Sequence, residues 1–287
     1  MTERKRHAVL TFAGSWADPG TGYPSDVVGA ADPDLVFEVP VDAPWSFGPT
    51  PADAPASPSY AESVEIAVAN ATAWIDANPH QTFALGGYGH GAEAASRLLA
   101  EIMTGSLQSA RPNLIGGYTF GNPWRLSAHT FPGGEDPGGR GIAATNLTAE
   151  QIPKDANGVD TWWDFANPGD LYATTPNDTA GADITAVYKS AIQIGIDINV
   201  MVAVIAGLTG RGSLAQQVLT MVTDPIVGGA ALVEAIDLAV TFYGSTPPAL
   251  PHISYQSVPV LAGQSAVEVA TAHLNNIAGA TLARAPV

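Results

Sequence analysis

Short apolar runs alternate with longer helical ones through most of this chain, and that alternation is what most limits its possible folds. Residues 8–12 (Ala-Val-Leu-Thr-Phe), 35–41, 82–85, 114–120 and 161–165 read as buried strands bounded by turn residues. Residues 60–78 read as a helix, because Val64, Val68, Ala71 and Ile75 recur at helical spacing and Pro79 stops the run. Residues 91–104, with Leu98, Leu99 and Ile102 on one face, and residues 267–280 read the same way. Strands that alternate with helices predict an α/β architecture, a mainly parallel sheet with helices on both faces. Sites in such sheets form at the carboxyl ends of the strands. From 182 to 242 the strand signal disappears and the sequence is apolar and helical, broken at Gly210–Gly212 and Asp224-Pro225. The expected organisation is therefore a core of 1–181 and 243–287 with a helical linker or cap inserted at 182–242.

Composition removes several classes of function. The chain has 287 residues, 46% of them hydrophobic, enough for one sizeable core with a modest insertion. It carries 11 basic against 27 acidic residues, a formal net charge of −16, which repels phosphate backbones and argues against nucleic-acid binding. Arg4, Lys5 and Arg6 read as a solvated terminal arm. No cysteine is present, so thiolate catalysis, disulfides and cysteine-ligated metals are excluded; no cofactor or metal motif is found. The apolar stretch after the basic N-terminus is too short for a signal-peptide core. The longest apolar stretch, 191–208, contains Asp197 and Asn199, which favours a buried helix over a membrane span.

One turn carries a chemical signature. Phe83-Ala84-Leu85-Gly86-Gly87-Tyr88-Gly89-His90-Gly91-Ala92 reads as a strand, a sharp turn and a helix start. Small residues flanking the turn, here Gly87 and Gly91, let strand and helix approach closely, as in the nucleophile elbow Gly-x-Ser-x-Gly of the α/β-hydrolases. The central position is Gly89, which has no side chain to attack with. Taken alone, the turn is equally a Gly-rich strand–helix junction; it lacks the Lys of a P-loop. Two further residues set it in context. Asp170 stands in an Asn-Pro-Gly-Asp turn after a strand-like run, and His252 follows Pro251 beyond the helical segment. Elbow, Asp, His is the chain order of α/β-hydrolase triads.

With these motifs in place, the chain resembles the lysin B family of phages that infect mycobacteria and related actinobacteria, mycolyl-arabinogalactan esterases of the α/β-hydrolase fold related to cutinases. The resemblance rests on Gly86–Ala92, on Thr119-Phe120-Gly121-Asn122-Pro123, on Asp136-Pro137-Gly138-Gly139-Arg140-Gly141-Ile142 and on the run Asp164–Thr175, and extends from about Val9 to Tyr255. It implies that Asp170 and His252 take the triad Asp and His positions and that Gly89 takes the position of the nucleophilic Ser. It implies an oxyanion hole from the backbone N–H of His90 and one from the Ser15-Trp16 turn. It also implies that 182–242 matches the place where that family inserts a linker domain.

A Gly at the nucleophile position removes the atom that forms the acyl-enzyme. Rescue by Ser15 or Thr119 is disfavoured, because both sit on other strands. Two histories fit: a natural relative kept for binding or assembly, or an active esterase inactivated by a Ser-to-Gly change. The natural history is favoured, because Gly accepts the elbow's unusual backbone freely. The partners expected are mycolate or other cell-envelope lipid esters, or phage virion proteins, and the expected location is the phage virion or the cytoplasm of the infected bacterium.

Overall fold

The computed structural model describes residues 5–48, 56–194 and 249–284. Five strands, β1 (His7–Phe12), β2 (Val36–Pro40), β3 (Phe83–Tyr88), β4 (Leu114–Phe120) and β5 (Trp162–Phe165), form one sheet in the order β2-β1-β3-β4-β5. Every neighbouring pair is parallel. Such a sheet is covered on both faces, which is why its strands read as continuous apolar runs instead of alternating ones.

The two faces are filled by different helices. Helices α2 (Tyr60–Ala77) and α3 (His90–Met103) pack on the face that receives Leu10, Phe12 and Leu85. Helix α1 (Tyr23–Ala30) and a C-terminal helix pack on the face that receives Val9, Ala84 and Phe120. Helix α4 (Thr179–Ile194) joins the first face through Ile184, Tyr188 and Ile192. The C-terminal helix, α5 (Ala266–Ala280), follows a small antiparallel pair, β6 (Pro259–Leu261) and β7 (Gln264–Ser265). Helices α2 and α5 both begin with a capping box, Ser59 with Glu62 and Ser265 with Glu268, which satisfies the first free N–H groups.

Most elements fall within a residue or two of their expected positions. Helix α1 and the β6–β7 pair were not anticipated. Gly20, Gly22 and Pro24 in the α1 segment are turn signals, but Pro in the first turn of a helix forfeits no hydrogen bond. Of the helical segment expected at 182–242, α4 contains the beginning; residues 195–248 lie outside the described residues.

Strand order fixes where a site can form. The chain runs from β1 outward to β2, then crosses back to β3 on the other side of β1. The loops leaving β1 and β3 therefore part to opposite faces and leave a crevice at their carboxyl ends. Gly14-Ser15-Trp16 follows β1 and Gly89 follows β3, so both lie at this point of divergence.

The loops beyond β4 and β5 are held by two arginines. Arg125 is fully buried and donates to the carbonyls of Ala173 (2.6 Å), His129 (2.8 Å), Gly139 (3.0 Å) and Gly138. Arg140 donates to the carbonyls of Gly141 (2.7 Å) and Ala143 (3.1 Å) and to the Thr185 hydroxyl of α4 (3.0 Å). The 136–142 motif thus fastens the loop after β4 to the loop after β5, which bears Asp170. Replacing Arg125 with Met would strand several buried carbonyls. We expect a loss of about 3 kcal/mol or more in unfolding free energy, measured by urea denaturation.

Candidate active site

The elbow begins with backbone geometry. Gly89 has φ 50° and ψ −109°, a conformation L residues rarely adopt. Its N–H donates to the Phe120 carbonyl on β4 (3.0 Å), and its carbonyl accepts from Glu93 N–H in the first turn of α3 (3.1 Å). Close approach needs the flanking glycine: a Cβ on Gly91 would lie 2.1 Å from the carbonyl oxygen of Phe12 at the end of β1. A Cβ on Gly89 itself would sit 2.9 Å from His252 Nε2 and 3.4 Å from its Cε1. The imidazole edge therefore faces the space where a residue-89 side chain would project.

Asp170 and His252 meet. Asp170 is fully buried, and its Oδ2 lies 2.9 Å from His252 Nδ1. The same oxygen accepts from the Tyr255 hydroxyl (2.5 Å), and Oδ1 accepts from Tyr172 N–H (3.1 Å). Asn167 Nδ2 donates to the Pro251 carbonyl (2.7 Å) and so couples the two turns that bear the pair. A carboxylate only accepts, so His252 Nδ1 carries the proton and Nε2 is left as a base directed at residue 89. The ring is held between Tyr88 (centroids 4.9 Å apart) and Tyr172 (4.6 Å). Burial, with Asp170's charge beside it, pushes the Tyr255 phenol well above its ordinary range and keeps it a donor.

His90 has a different task. Its ring is buried, stacks on Tyr60 at 3.7 Å, and has Nε2 3.1 Å from the Tyr60 carbonyl and Nδ1 3.2 Å from Ser15 Oγ. Burial pushes its pKa down to about 3, so the ring is neutral. The carbonyl fixes the proton on Nε2, and Nδ1 then accepts from the Ser15 hydroxyl. The His90 side chain thus ties the turn after β1 to the first residue of α3. In that turn Trp16 N–H is already given to the Trp45 carbonyl (2.8 Å), which leaves Ser15 N–H as the turn's candidate oxyanion donor. His90 is the first residue of α3, where a backbone N–H has no partner within the helix.

No protein-family model matches the chain. The chain is 26% identical to endolysin B of Mycobacterium phage L5 over 84% of its length and 94% of that protein. It is 27% identical to endolysin B of Mycobacterium phage D29 over 78% of its length and 86% of that protein. Among solved structures, lysin B from mycobacteriophage D29 superposes with a TM-score of 0.55 at 20% identity, covering 94% of this chain and 99% of that one. The chain is a relative of the mycobacteriophage lysin B proteins. Its fold is that of the α/β-hydrolases.

Beside the crevice, this lysin B relative holds two clusters that the sequence reading missed. Asp164 on β5 is fully buried and accepts from Asn122 Nδ2 (2.8 Å), His129 Nδ1 (2.7 Å) and the Thr119 hydroxyl. Thr119 is therefore buried and committed, and is unavailable as a substitute nucleophile. Glu93, one turn into α3, accepts from Tyr60 (3.0 Å), Tyr188 (2.8 Å) and Arg97 (2.5 Å), which joins α2, α3 and α4. The available signals were a charged residue inside an apolar helix face and an Asp inside an apolar strand.

The Asp164–His129 pair has a readable pH signature. Burial alone would lower His129, but the hydrogen bond and charge of Asp164, with Asp160 at 3.6 Å, raise it above its ordinary value. Burial alone would raise Asp164, but His129, Asn122 and Thr119 hold it below its ordinary value. A raised His pKa stabilises fully below the unfolded value near 6.5, and that contribution fades as pH rises through the folded value. The destabilisation caused by His129→Gln should therefore be larger at pH 6 than at pH 9, measured by urea unfolding at both.

Proposed function

We propose that this lysin B relative is catalytically silent as a serine esterase and serves as an envelope-binding or virion-associated structural protein. One observation carries the reading: at the elbow after β3, facing His252 Nε2, stands Gly89. In an intact site the Ser hydroxyl gives its proton to the His, attacks the ester carbonyl and becomes acylated while backbone N–H groups hold the oxyanion. Gly89 supplies no oxygen to attack or be acylated. Loss of a triad Ser typically lowers kcat by about 10⁶. Neither neighbouring hydroxyl replaces it. Thr119 is buried against Asp164, and the Ser15 hydroxyl is paired with His90, whose pKa of about 3 makes it a poor base.

The occupants we propose are mycolate or other cell-envelope lipid esters at the crevice, or a phage virion partner, with the 182–242 excursion as the acyl-holding or packing element. This places the protein in the virion or in the infected bacterium. No described helix is long and apolar enough to cross a membrane.

The second reading, an esterase inactivated by Ser-to-Gly substitution, is favoured by the completeness of what remains. Asp170 is buried, doubly supported and 2.9 Å from His252. The two histories separate experimentally. The unmodified chain should not be labelled by a fluorophosphonate, and labelling would overturn the silent reading. Gly89→Ser needs His252 Nε2 to yield by a few tenths of an ångström, because a Cβ there lies 2.9 Å away. Turnover of p-nitrophenyl butyrate by Gly89→Ser within a few-fold of an ordinary esterase identifies a recently inactivated enzyme. Little turnover with intact folding identifies natural divergence.

A further inference from the structure

We propose that Asn157 is a site of spontaneous covalent modification, at which the side-chain amide is lost as ammonia and some molecules reroute the backbone through the side chain. The inference does not depend on whether the crevice reacts. The chemistry needs an Asn, a following backbone nitrogen that nothing crowds, and a segment able to open locally. Asn157-Gly158 is the chain's one Asn-Gly pair. Asn78, Asn122 and Asn167 precede Pro, which has no N–H to react. The Asn residues of α2 and α5 precede nitrogens committed to the helical ladder. Asn113, Asn146 and Asn177 precede Leu114, Leu147 and Asp178, whose side chains hinder attack by the nitrogen.

The fold sets the pair at the tip of a hairpin leading into β5. Lys154 and Asp160 face each other across it, and Thr161 N–H donates to the Pro153 carbonyl (2.9 Å). Asp155 N–H donates to the Val159 carbonyl (2.8 Å), and Gly158 N–H closes the turn on the Asp155 carbonyl (3.0 Å). Gly158 has φ 79°, which favours Gly in this turn. Residues 154–159 are all exposed, and a Cβ on Gly158 would meet nothing within 4 Å. One hydrogen bond therefore keeps the Gly158 nitrogen from its target, with open space around it.

When that bond opens, the Gly158 nitrogen attacks Asn157 Cγ. A C–N bond forms, the nitrogen's proton passes to water or hydroxide, and the Cγ–Nδ2 bond breaks, with Nδ2 leaving as ammonia. Water then opens the five-membered imide at one of its two carbonyls. Opening at Cγ yields an aspartate with an ordinary backbone. Opening at the main-chain carbonyl leaves the chain linked through Cγ and one carbon longer. Water is the sole reagent consumed.

Both products place a new negative charge beside Asp155, whose Oδ1 accepts from the N–H groups of Asn157 and Val159 (2.8 Å each). The lengthened product also breaks the register of the tip. The strain runs down the hairpin to Asp160, whose Oδ2 lies 3.6 Å from His129 Nε2 in the cluster on β5.

The test is to age the intact folded chain at mildly alkaline pH, with its fold followed by circular dichroism. Tandem mass spectrometry should place a gain of about 1 Da at residue 157, about tenfold or more above any other Asn. Protein isoaspartate methyltransferase, which methylates the lengthened linkage, should label the aged chain. Asn157→Ser, which keeps a turn-forming residue, should fold normally and lose the label. The one bond that closes the turn should make the folded chain react about fivefold more slowly than the urea-unfolded chain. Modification confined to the unfolded chain, a gain spread evenly over the Asn residues, or a label that survives Asn157→Ser overturns the proposal.

Discussion

Everything at the crevice depends on how closely α3 can approach the end of β1. The Cβ position of Gly91 is 2.1 Å from the Phe12 carbonyl, and that of Gly87 is 2.7 Å from the Gly91 carbonyl. No side chain fits either place, so the two glycines let the helix begin directly over the sheet. That contact sets the elbow at Gly89 and places His90, the first residue of α3, where it reaches Ser15. The strand order does the rest, because β1 and β3 are the neighbours whose loops diverge.

A second set of contacts holds the opposite wall. Asp170 belongs to a loop after β5 that makes no regular secondary structure. It stays in place because Arg125 binds the Ala173 carbonyl from the loop after β4, because the backbone N–H groups of Arg140 and Ile142 donate to the Thr175 and Tyr172 carbonyls, and because Asn167 and Tyr255 tie the Asp170 turn to the His252 turn. Backbone carbonyls are obligatory acceptors once buried, and guanidinium groups satisfy several of them at once. A chain with only 11 basic residues thus commits two arginines to loop carbonyls.

How much of this was legible in the sequence depends on the range of the interaction. The strands and helices α2, α3 and α5 were readable because apolar spacing and Pro79 are local signals. The elbow was readable because its glycines are consecutive in the chain. The neighbourhood of Asp170 and His252 was accessible only through chain order and resemblance, since their contact spans 82 positions. The pairing of His129 with Asp164 and the convergence of Tyr60 and Tyr188 on Glu93 were not legible. Each joins residues with no fixed sequence spacing, and tertiary packing alone brings them together. Helix α1 was hidden because its Gly and Pro residues are turn signals out of context.

The division between the residues that shape the crevice and the residue that would react in it has an evolutionary consequence. Gly87 and Gly91, Arg125 and Arg140, and the Asp164 cluster answer to folding, whereas Gly89 brings no side chain to any of these contacts. A side chain at 89 would meet a backbone conformation that favours Gly and would press on His252 Nε2, so Gly there relaxes the elbow. On the silent reading proposed above, a single change at 89 ends the reaction while the folding contacts keep the same cleft. The cavity then persists as raw material, free to be specialised for a new occupant before any fold-determining residue has to change.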